Sequence, residues 1–392
     1  ALRLGRRHTS GKECLPLCLT LGNLLKRLEP ERHTSNRFAL LYPTAHGPCR
    51  EGTYNLLSQI TLERLGWADR VRIWPPSDSG YFKNLPSGLS LLIFTAFIAS
   101  DLLLDGLHET QPVETRPGAA REIFDRYLAQ LLQTAEAAAG RLSAPGTAWH
   151  YASGRLFGLR RLLAEASAEF AAIRGPQALP TVLVVGEIYV RCDPFANDFV
   201  IEKLQQRGLR ARLAPFHEWL DYSDLILRRD ELGGLNLSAW LSGHVQRRIQ
   251  HSLQRCSCAS LDRPEPPPMP DILDTAEPYL RSKLIGEAVL TLGTPLAEWR
   301  RAEIDAVVSV GPLECMPNKI SEAQFFHMAE REGLFSLTLP LNGDHLDPEV
   351  LDNFAFEVHA RFRGKRKTLP APALGRRADP SGARLHENSR SS

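Results

Sequence analysis

Short apolar runs alternate with amphipathic stretches along most of the chain. In the first half, RFALLYPT and RVRIWPP suit short buried strands, whereas LPLCLTLGNLLKRLE and YNLLSQITLERLG have the residue spacing of helices. Leu- and Ala-rich segments between residues 89 and 174 predict further helices. In the second half, TVLVVGEIYV, LRARLAP, AVVSVGPL and FSLTLPL predict four strands separated by helices. This alternation is typical of parallel α/β sheets.

A linker pattern divides the two halves. The segment RGPQALP, Arg174 to Pro180, lacks the periodicity of a helix or strand. We therefore predict two doubly wound α/β domains, at residues 1–174 and 175–363. In such sheets, ligands bind beyond the carboxyl ends of the strands. Residues 364–392 carry seven Lys or Arg and almost no apolar side chains, so we expect a disordered basic tail.

Composition points to an ordinary soluble protein. Of the 392 residues, 43% are hydrophobic and 23% are charged. The charge-free apolar run from Leu89 to Ser100 is too short to span a bilayer, and no secretory signal pattern is present. Seven widely spaced cysteines argue against a disulfide framework and for a reducing cytoplasm. We expect a cytoplasmic protein with no membrane contact and no bound nucleic acid, since no aromatic residues interleave the basic tail.

Four cysteines share a local setting. Cys49 in HGPCREG, Cys192 in VRCDP and Cys315 in ECMP follow predicted strands and precede helices, and Cys14 in ECLP precedes a helix. A proline two residues past Cys14, Cys192 and Cys315 suits a first helical turn. Helix N-termini carry partial positive charge, which lowers the pKa of a thiol. Several thiolates converging there would suit an iron–sulfur cluster.

Other interpretations of these cysteines stay open. Zinc is a rival ligand, although the close Cys-x-x-Cys pairs of structural zinc sites are absent from the sequence. A catalytic thiol at Cys49 with His46 as its base would leave the other cysteines unexplained. We expect Cys18 to face the core, and Cys256 and Cys258 to be exposed residues without a role.

Four segments carry a family resemblance: SGKECLPLCLTLGNLL, HGPCREGTYN, GEIYVRCDPFANDFVIEKLQQRG and GPLECMPNKISEAQ. They resemble the 2-hydroxyacyl-CoA dehydratase superfamily, and more narrowly the dehydratase-like component found beside or fused to CoA-substrate-specific enzyme activases. The resemblance implies two flavodoxin-like domains with an iron–sulfur site between them. It assigns a [4Fe–4S] cluster, or a larger linked cluster, to Cys14, Cys49 and Cys315. Cys192 is either a fourth ligand or a neighbour that does not coordinate.

The resemblance also implies a function and partners. The chain would receive low-potential electrons from an ATP-hydrolysing activator of the actin/Hsp70 type and pass them to a small-molecule substrate, with acyl-CoA as one option. The sequence has no Gly-x-x-x-x-Gly-Lys-Ser/Thr loop, so ATP binding is expected on a separate chain or on a region preceding Ala1. A homo- or hetero-oligomer is expected. The alternative is a non-catalytic electron-relay or scaffold subunit of an activase assembly.

Acidic residues near the cysteine loops are candidates for acid–base chemistry. Glu13, Glu187 and Glu314 lie beside the predicted loops, and His46 lies beside Cys49. The more ordinary interpretation, which we favour, is charge at a helix N-terminus or hydrogen bonding that supports the loop.

Overall fold

The chain folds into a mixed α/β structure with parallel sheets. The computed structural model describes residues 1–45, 47–77, 81, 85–231 and 237–368. The α-helices of this part are α1 (Leu2–Arg6), α2 (Leu15–Leu28), α3 (Tyr54–Arg64), α4 (Ser87–Thr110), α5 (Ala119–Ala139), α6 (Ala144–Ala152), α7 (Leu159–Ala172), α8 (Ile188–Cys192), α9 (Val200–Gln205), α10 (His217–Glu231), α11 (Leu237–Leu261), α12 (Met269–Ala276), α13 (Ala288–Arg300), α14 (Met316–Glu332) and α15 (Pro348–Thr368).

Six strands form two parallel sheets in the described part of the chain. The strands are β1 (Phe38–Leu41), β2 (Val71–Trp74), β3 (Thr181–Gly186), β4 (Arg210–Leu213), β5 (Ala306–Pro312) and β6 (Ser336–Leu341). β1 pairs with β2, and the other four lie in the order β4-β3-β5-β6. The chain leaves β3 to one side and returns to its other side at β5. The crevice between the carboxyl ends of β3 and β5 is therefore a topological switch point, where such folds bind ligands.

The four-stranded sheet is covered on both faces. Val182 and Val308 pack on one face with α9, α15 and the start of α2. Leu183 and Val307 pack on the other face with α13 and α14. Every residue of β3 and β5 is buried, which explains why both strands are continuous apolar runs.

A separate helical core surrounds α4. Its buried side chains, including Ile98, Leu103 and Leu107, pack against α5, α7 and α11. By length and composition, the stretch Gly88–Val113 passes as a membrane-spanning helix. The run from Leu89 to Ser100 was expected to be too short to span a bilayer. That expectation was wrong about the length of the helix, which continues through Asp101 to Thr110.

The six predicted strands are confirmed, and α6 was missed. The first half contributes only β1 and β2 to a sheet among the described residues, so the predicted doubly wound sheet is small there. α11 lies after the predicted boundary at residue 174 but packs against α4 and α7, which precede it. The division into domains at residues 174 and 175 stays a prediction. α15 continues to Thr368, past the expected start of the tail, and residues 369–392 lie outside the described residues.

Candidate functional site

A cavity of about 880 Å³ lies at the carboxyl ends of the strands, and we call it the cysteine cavity. Residues that follow β1, β3 and β5 line it, together with one side of α4. Its chemistry-bearing lining residues are Cys14, Cys49, Glu51, Tyr54, Glu187, Cys192, Glu287, Glu314 and Cys315. The cavity reaches the crevice at the switch point between β3 and β5, so the sheet topology itself brings distant loops together.

Three of the cysteines occupy the same position relative to a helix. Cys14 is the N-cap of α2, Cys315 is the N-cap of α14, and Cys49 is the N-cap of the 3-10 helix Arg50–Thr53. Pro16 and Pro317 stand in the first turns, where their missing N–H groups cost no hydrogen bond. The predicted helix-entry position of these three residues is confirmed. All three side chains line the cysteine cavity.

The loop that carries Cys49 lies against the segment that carries Glu287. Gly47 has φ +94°, and a Cβ added there would lie 2.9 Å from the carbonyl oxygen of Ile285. Only a glycine accepts both this left-handed backbone and this close approach without strain. The Gly47 position thereby sets Cys49 against the second half of the chain.

Polar contacts hold two of the sulfur atoms. The hydroxyl of Tyr54 is in hydrogen-bonding contact with the Sγ of Cys14. The backbone N–H of Glu51 donates to the Sγ of Cys49 at 3.4 Å. Both cysteines line the cavity.

Burial dominates the protonation of these thiols. Burial raises the pKa of Cys49 to about 12 and raises the pKa of Cys315 above its usual value, with the carboxylate of Glu287 adding to both increases. The pKa of Cys14 is also raised by burial, against the lowering contact with Tyr54. The helix N-termini were expected to lower the pKa of these thiols. That effect is outweighed, because removing a thiolate from water destabilises it more than the nearby amides stabilise it. Without a bound cation the three thiols are neutral at pH 7.

Cys192 lies in a different setting from the other three. It is the last residue of α8, so the predicted strand-to-helix loop was wrong for this residue, and Pro194 is not in a helix. Unlike the other three it is an exposed residue, and its side chain lines the cysteine cavity. The neighbouring Arg191 is buried and pairs with Glu218 at 2.9 Å.

Two carboxyl groups face the sulfurs. Glu187 is the N-cap of α8 and accepts the backbone N–H groups of Tyr189 at 3.1 Å and Val190 at 2.8 Å. Glu287 precedes α13 and accepts the backbone N–H of Ile188 at 3.2 Å. Burial raises the pKa of both, and the charge of Glu187 raises that of Glu287 further. This pair holds a proton at a pH where isolated carboxyls are ionised.

The remaining predicted residues lie elsewhere. Glu13 is absent from the lining; burial raises its pKa, but the Ser10 and Lys12 amides outweigh that effect and its net pKa is lowered. Glu314 lines the cavity, and His46 lies outside the described residues. Cys18 is buried as expected. Cys256 and Cys258 lie within α11, and the expected exposure was wrong for Cys258, which is 2% exposed.

Sequence reasoning missed Glu287, Tyr54 and an apolar wall of the cavity. The wall consists of Tyr81, Leu89, Ile93, Phe97, Phe216 and Trp219. Tyr54 stands five residues past Cys49 and was the easiest to find. No local sequence pattern marks Glu287, because only tertiary folding brings the segment before α13 to the cysteines.

The cysteines line one cavity without surrounding a single point. Among the described residues, no three Cys, His, Asp or Glu side chains are grouped closely enough to hold one metal ion. A cluster differs from a single ion because it distributes its thiolates over the corners of a larger body. Cys14, Cys49 and Cys315, each at a helix N-terminus that lines the cavity, are the residues that could hold such a group.

No protein-family model, no curated protein and no solved structure matches this chain.

Proposed function

We propose that the chain is an iron–sulfur protein of the 2-hydroxyacyl-CoA dehydratase type. It receives low-potential electrons from an ATP-hydrolysing activator on another chain or region, and passes them to a small molecule in the cysteine cavity. One observation carries the proposal: Cys14, Cys49 and Cys315, separated by up to 301 positions in the printed sequence, are all helix N-caps that line one cavity.

The donor set explains how the protein would hold the group. Cys14, Cys49 and Cys315 would supply three thiolates, and binding would release their protons because a ligating thiol must be deprotonated. When bound, a [4Fe–4S] cluster supplies one-electron transfer at low potential. The hydroxyl of Tyr54 and the amide of Glu51 would stay on the sulfurs of Cys14 and Cys49, where such contacts adjust cluster potential.

The carboxyl pair suits the protons of a reduction. Glu187 and Glu287 line the same cavity as the thiols, and burial raises the pKa of both, which favours the protonated form relative to an isolated carboxyl. A protonated carboxyl facing bound substrate serves as a general acid. We assign this role to the Glu187–Glu287 pair. The amides at the start of α8, which donate to Glu187, would hold its carboxyl group in position.

The open cavity favours catalysis over the scaffold alternative. A relay or scaffold subunit needs a path for electrons but no space for a substrate. The cysteine cavity of about 880 Å³ is within the size range of small-molecule sites.

The test is anaerobic reconstitution with iron and sulfide, followed by reduction with Ti(III) citrate. The wild-type chain should gain a charge-transfer absorbance that bleaches on reduction and an EPR signal of a reduced cluster. Cys315→Ala should lose both, whereas Cys258→Ala, which alters a buried cysteine outside the cavity, should keep them. The proposal is wrong if the wild type gains no cluster, binds only zinc by metal analysis, or is matched by Cys315→Ala.

A further inference from the structure

The lining of the cysteine cavity combines two kinds of chemistry. Part of it carries the four cysteines and the carboxyl groups of Glu51, Glu187, Asp193, Glu287 and Glu314. Another part is the apolar wall. The rings of Phe97 and Phe216 lie 5.3 Å apart, and the indole N–H of Trp219 donates to the hydroxyl of Tyr81 at 2.9 Å.

One residue of the apolar wall, Phe97, is exposed although it is apolar, whereas Trp219 is buried. Phe97 is 38% exposed, although the neighbouring Ile98 and Ala99 of α4 are completely buried. Two other apolar lining residues are also exposed, Trp74 by 43% and Met316 by 57%. Concave apolar surface of this kind gains free energy when a ligand removes it from water.

Positive charge is scarce in the cavity. Among the described lining residues, Arg50 is the one Lys or Arg, and its Nη1 already donates to the carbonyl oxygen of Lys12 at 2.7 Å. Phosphate groups in proteins are usually held by Arg or Lys side chains or by helix N-termini. The side chains of the described lining therefore offer little to a phosphate.

Two of the helix N-termini at the cavity, those of α8 and of the 3-10 helix after Cys49, already have partners for their amides. At α8, the amides of Tyr189 and Val190 donate to Glu187, and the amide of Ile188 donates to Glu287. The thiol of Cys49 accepts the first-turn amide of Glu51, whereas the thiols of Cys14 and Cys315 stand at the starts of α2 and α14 without a capping hydrogen bond. At α8, an anionic ligand would have to displace the carboxyl groups of Glu187 and Glu287 from these amides.

From these contacts we infer that the substrate of this cavity is a small, uncharged, ring-containing molecule, not a phosphate-bearing CoA ester. Its ring would lie on Phe97, Phe216 and Trp219, and its reducible group would face the cysteines and the Glu187–Glu287 pair. Aromatic contacts favour a ring over a flexible chain of equal size. The inference rests on the proposed function for the reduction, but the recognition of the ligand is a property of the wall alone.

Three ligands with one ring system separate the possibilities: 2-naphthol, 2-naphthoate and 2-naphthoyl-CoA. Calorimetric titration at pH 7 is run on the full chain both without iron and after reconstitution. We expect 2-naphthol to bind at least about tenfold more tightly than either charged ligand. Equal or tighter binding of 2-naphthoate or 2-naphthoyl-CoA, or no binding of 2-naphthol, would overturn the inference.

Variants of Phe97 test the position of the ring. Phe97→Ala should weaken 2-naphthol binding about fivefold, since one aromatic contact is lost. Phe97→Arg should shift the preference toward 2-naphthoate by about tenfold, because it adds the missing positive charge. Phe356→Ala, at a residue on α15 that is 70% exposed and outside the cavity, is the control and should change nothing.

The outcomes distinguish the two proposals. A chain that binds 2-naphthol but takes up no iron would contradict the proposed function and leave the ligand preference standing. A chain that takes up iron but prefers 2-naphthoyl-CoA would contradict the ligand preference and leave the proposed function standing. The wild-type ranking needs no variant, so a misfolded substitution does not prevent the test.

Discussion

Cys49 is subject to two opposing effects at the scale of a single residue. Its position at a helix N-terminus stabilises a thiolate, and its burial near Glu51, Glu187 and Glu287 destabilises one. Burial dominates and raises the pKa of Cys49 to about 12.

Alkylation of the iron-free chain measures whether burial or the helix N-terminus has the larger effect on the pKa of Cys49. Since only the thiolate reacts, the rate at Cys49 should rise about tenfold per pH unit from pH 7 to 10, with no plateau. The same cysteine in the urea-unfolded chain should level off near pH 9 and serves as the control. Iodoacetamide labelling followed by peptide mass spectrometry gives both curves. A plateau for folded Cys49 below pH 9 would mean that the helix N-terminus outweighs burial.

Gly186 limits what the end of β3 can accept. Its φ is +116°, and an added Cβ would lie 1.9 Å from the carbonyl oxygen of Val310 on β5. Gly66 also has a positive φ, +74°, but nothing lies within 4 Å of its added Cβ. The two positions therefore separate backbone strain from steric overlap.

Urea unfolding of the two alanine variants measures this difference. Gly66→Ala should lower the free energy of unfolding by about 1 kcal/mol, the cost of a left-handed alanine. Gly186→Ala should lower it by about 3 kcal/mol or more, because backbone overlap is added to strain. If the two variants lost the same free energy of unfolding, β3 and β5 would be able to move apart easily. That result would contradict the close approach of Gly186 to Val310.

At the scale of elements, a buried ion pair joins α4 to the start of α10. The backbone N–H of His217 donates to Asp101 at 2.7 Å, and the Nδ1 of His217 lies 2.8 Å from the same oxygen. Burial by itself lowers the pKa of His217, but Asp101, with smaller help from Asp221 and Glu218, outweighs it and the net pKa is raised. The pair therefore links the helical core to the chain segment that follows β4.

Asp101→Asn tests the pair and its pH dependence. The folded pKa of His217 is above its ordinary value of 6.5, so the stabilisation is complete below pH 6.5 and is lost as pH rises through the folded value. We expect a loss of about 3 kcal/mol at pH 6 and a smaller loss at pH 9, by urea unfolding.

The control is Asp125→Asn, at an exposed residue on α5 that pairs with Arg121 at 4.0 Å. It should change stability by less than about 0.5 kcal/mol at either pH. A loss for Asp101→Asn that is larger at pH 9 than at pH 6 would contradict the assigned charge on His217.

The sequence predicted the elements better than their arrangement. β3 and β5 were recognisable because both faces of each strand are buried, which requires a continuous apolar run. α6 was missed because its segment, APGTAWHYA, contains Pro and Gly and buries only Thr147. The small size of the first sheet was not predicted, because the pattern of a strand does not indicate how many strands its sheet contains.

The candidate site was predictable only where a local signal exists. Cys14 and Cys315 were marked by prolines in the following helical turn, and Cys49 by its loop between a strand and a helix. Glu287 and the apolar wall come from segments that only tertiary packing brings to the cavity. The thiol pKa values were misjudged because burial is a property of the folded state.

At the scale of the whole molecule, the fold brings Cys14 and Cys49 of the first half to Cys315 of the second half at one cavity. The topology of β3 and β5 opens that cavity, α4 forms its apolar side, and three helix N-termini carry the thiols. The central claim is that these three cysteines together hold one iron–sulfur cluster. Loss of any one of them should then affect the same group.

Iron and sulfide quantitation per chain after anaerobic reconstitution tests this claim most directly. The wild type should bind about four irons and four sulfides, and Cys14→Ala, Cys49→Ala and Cys315→Ala should each lose most of both. Cys18→Ala and Cys258→Ala, which alter cysteines outside the cavity, should match the wild type. A wild type without iron, or a Cys14, Cys49 or Cys315 variant that binds as much iron and sulfide as the wild type, would contradict the account.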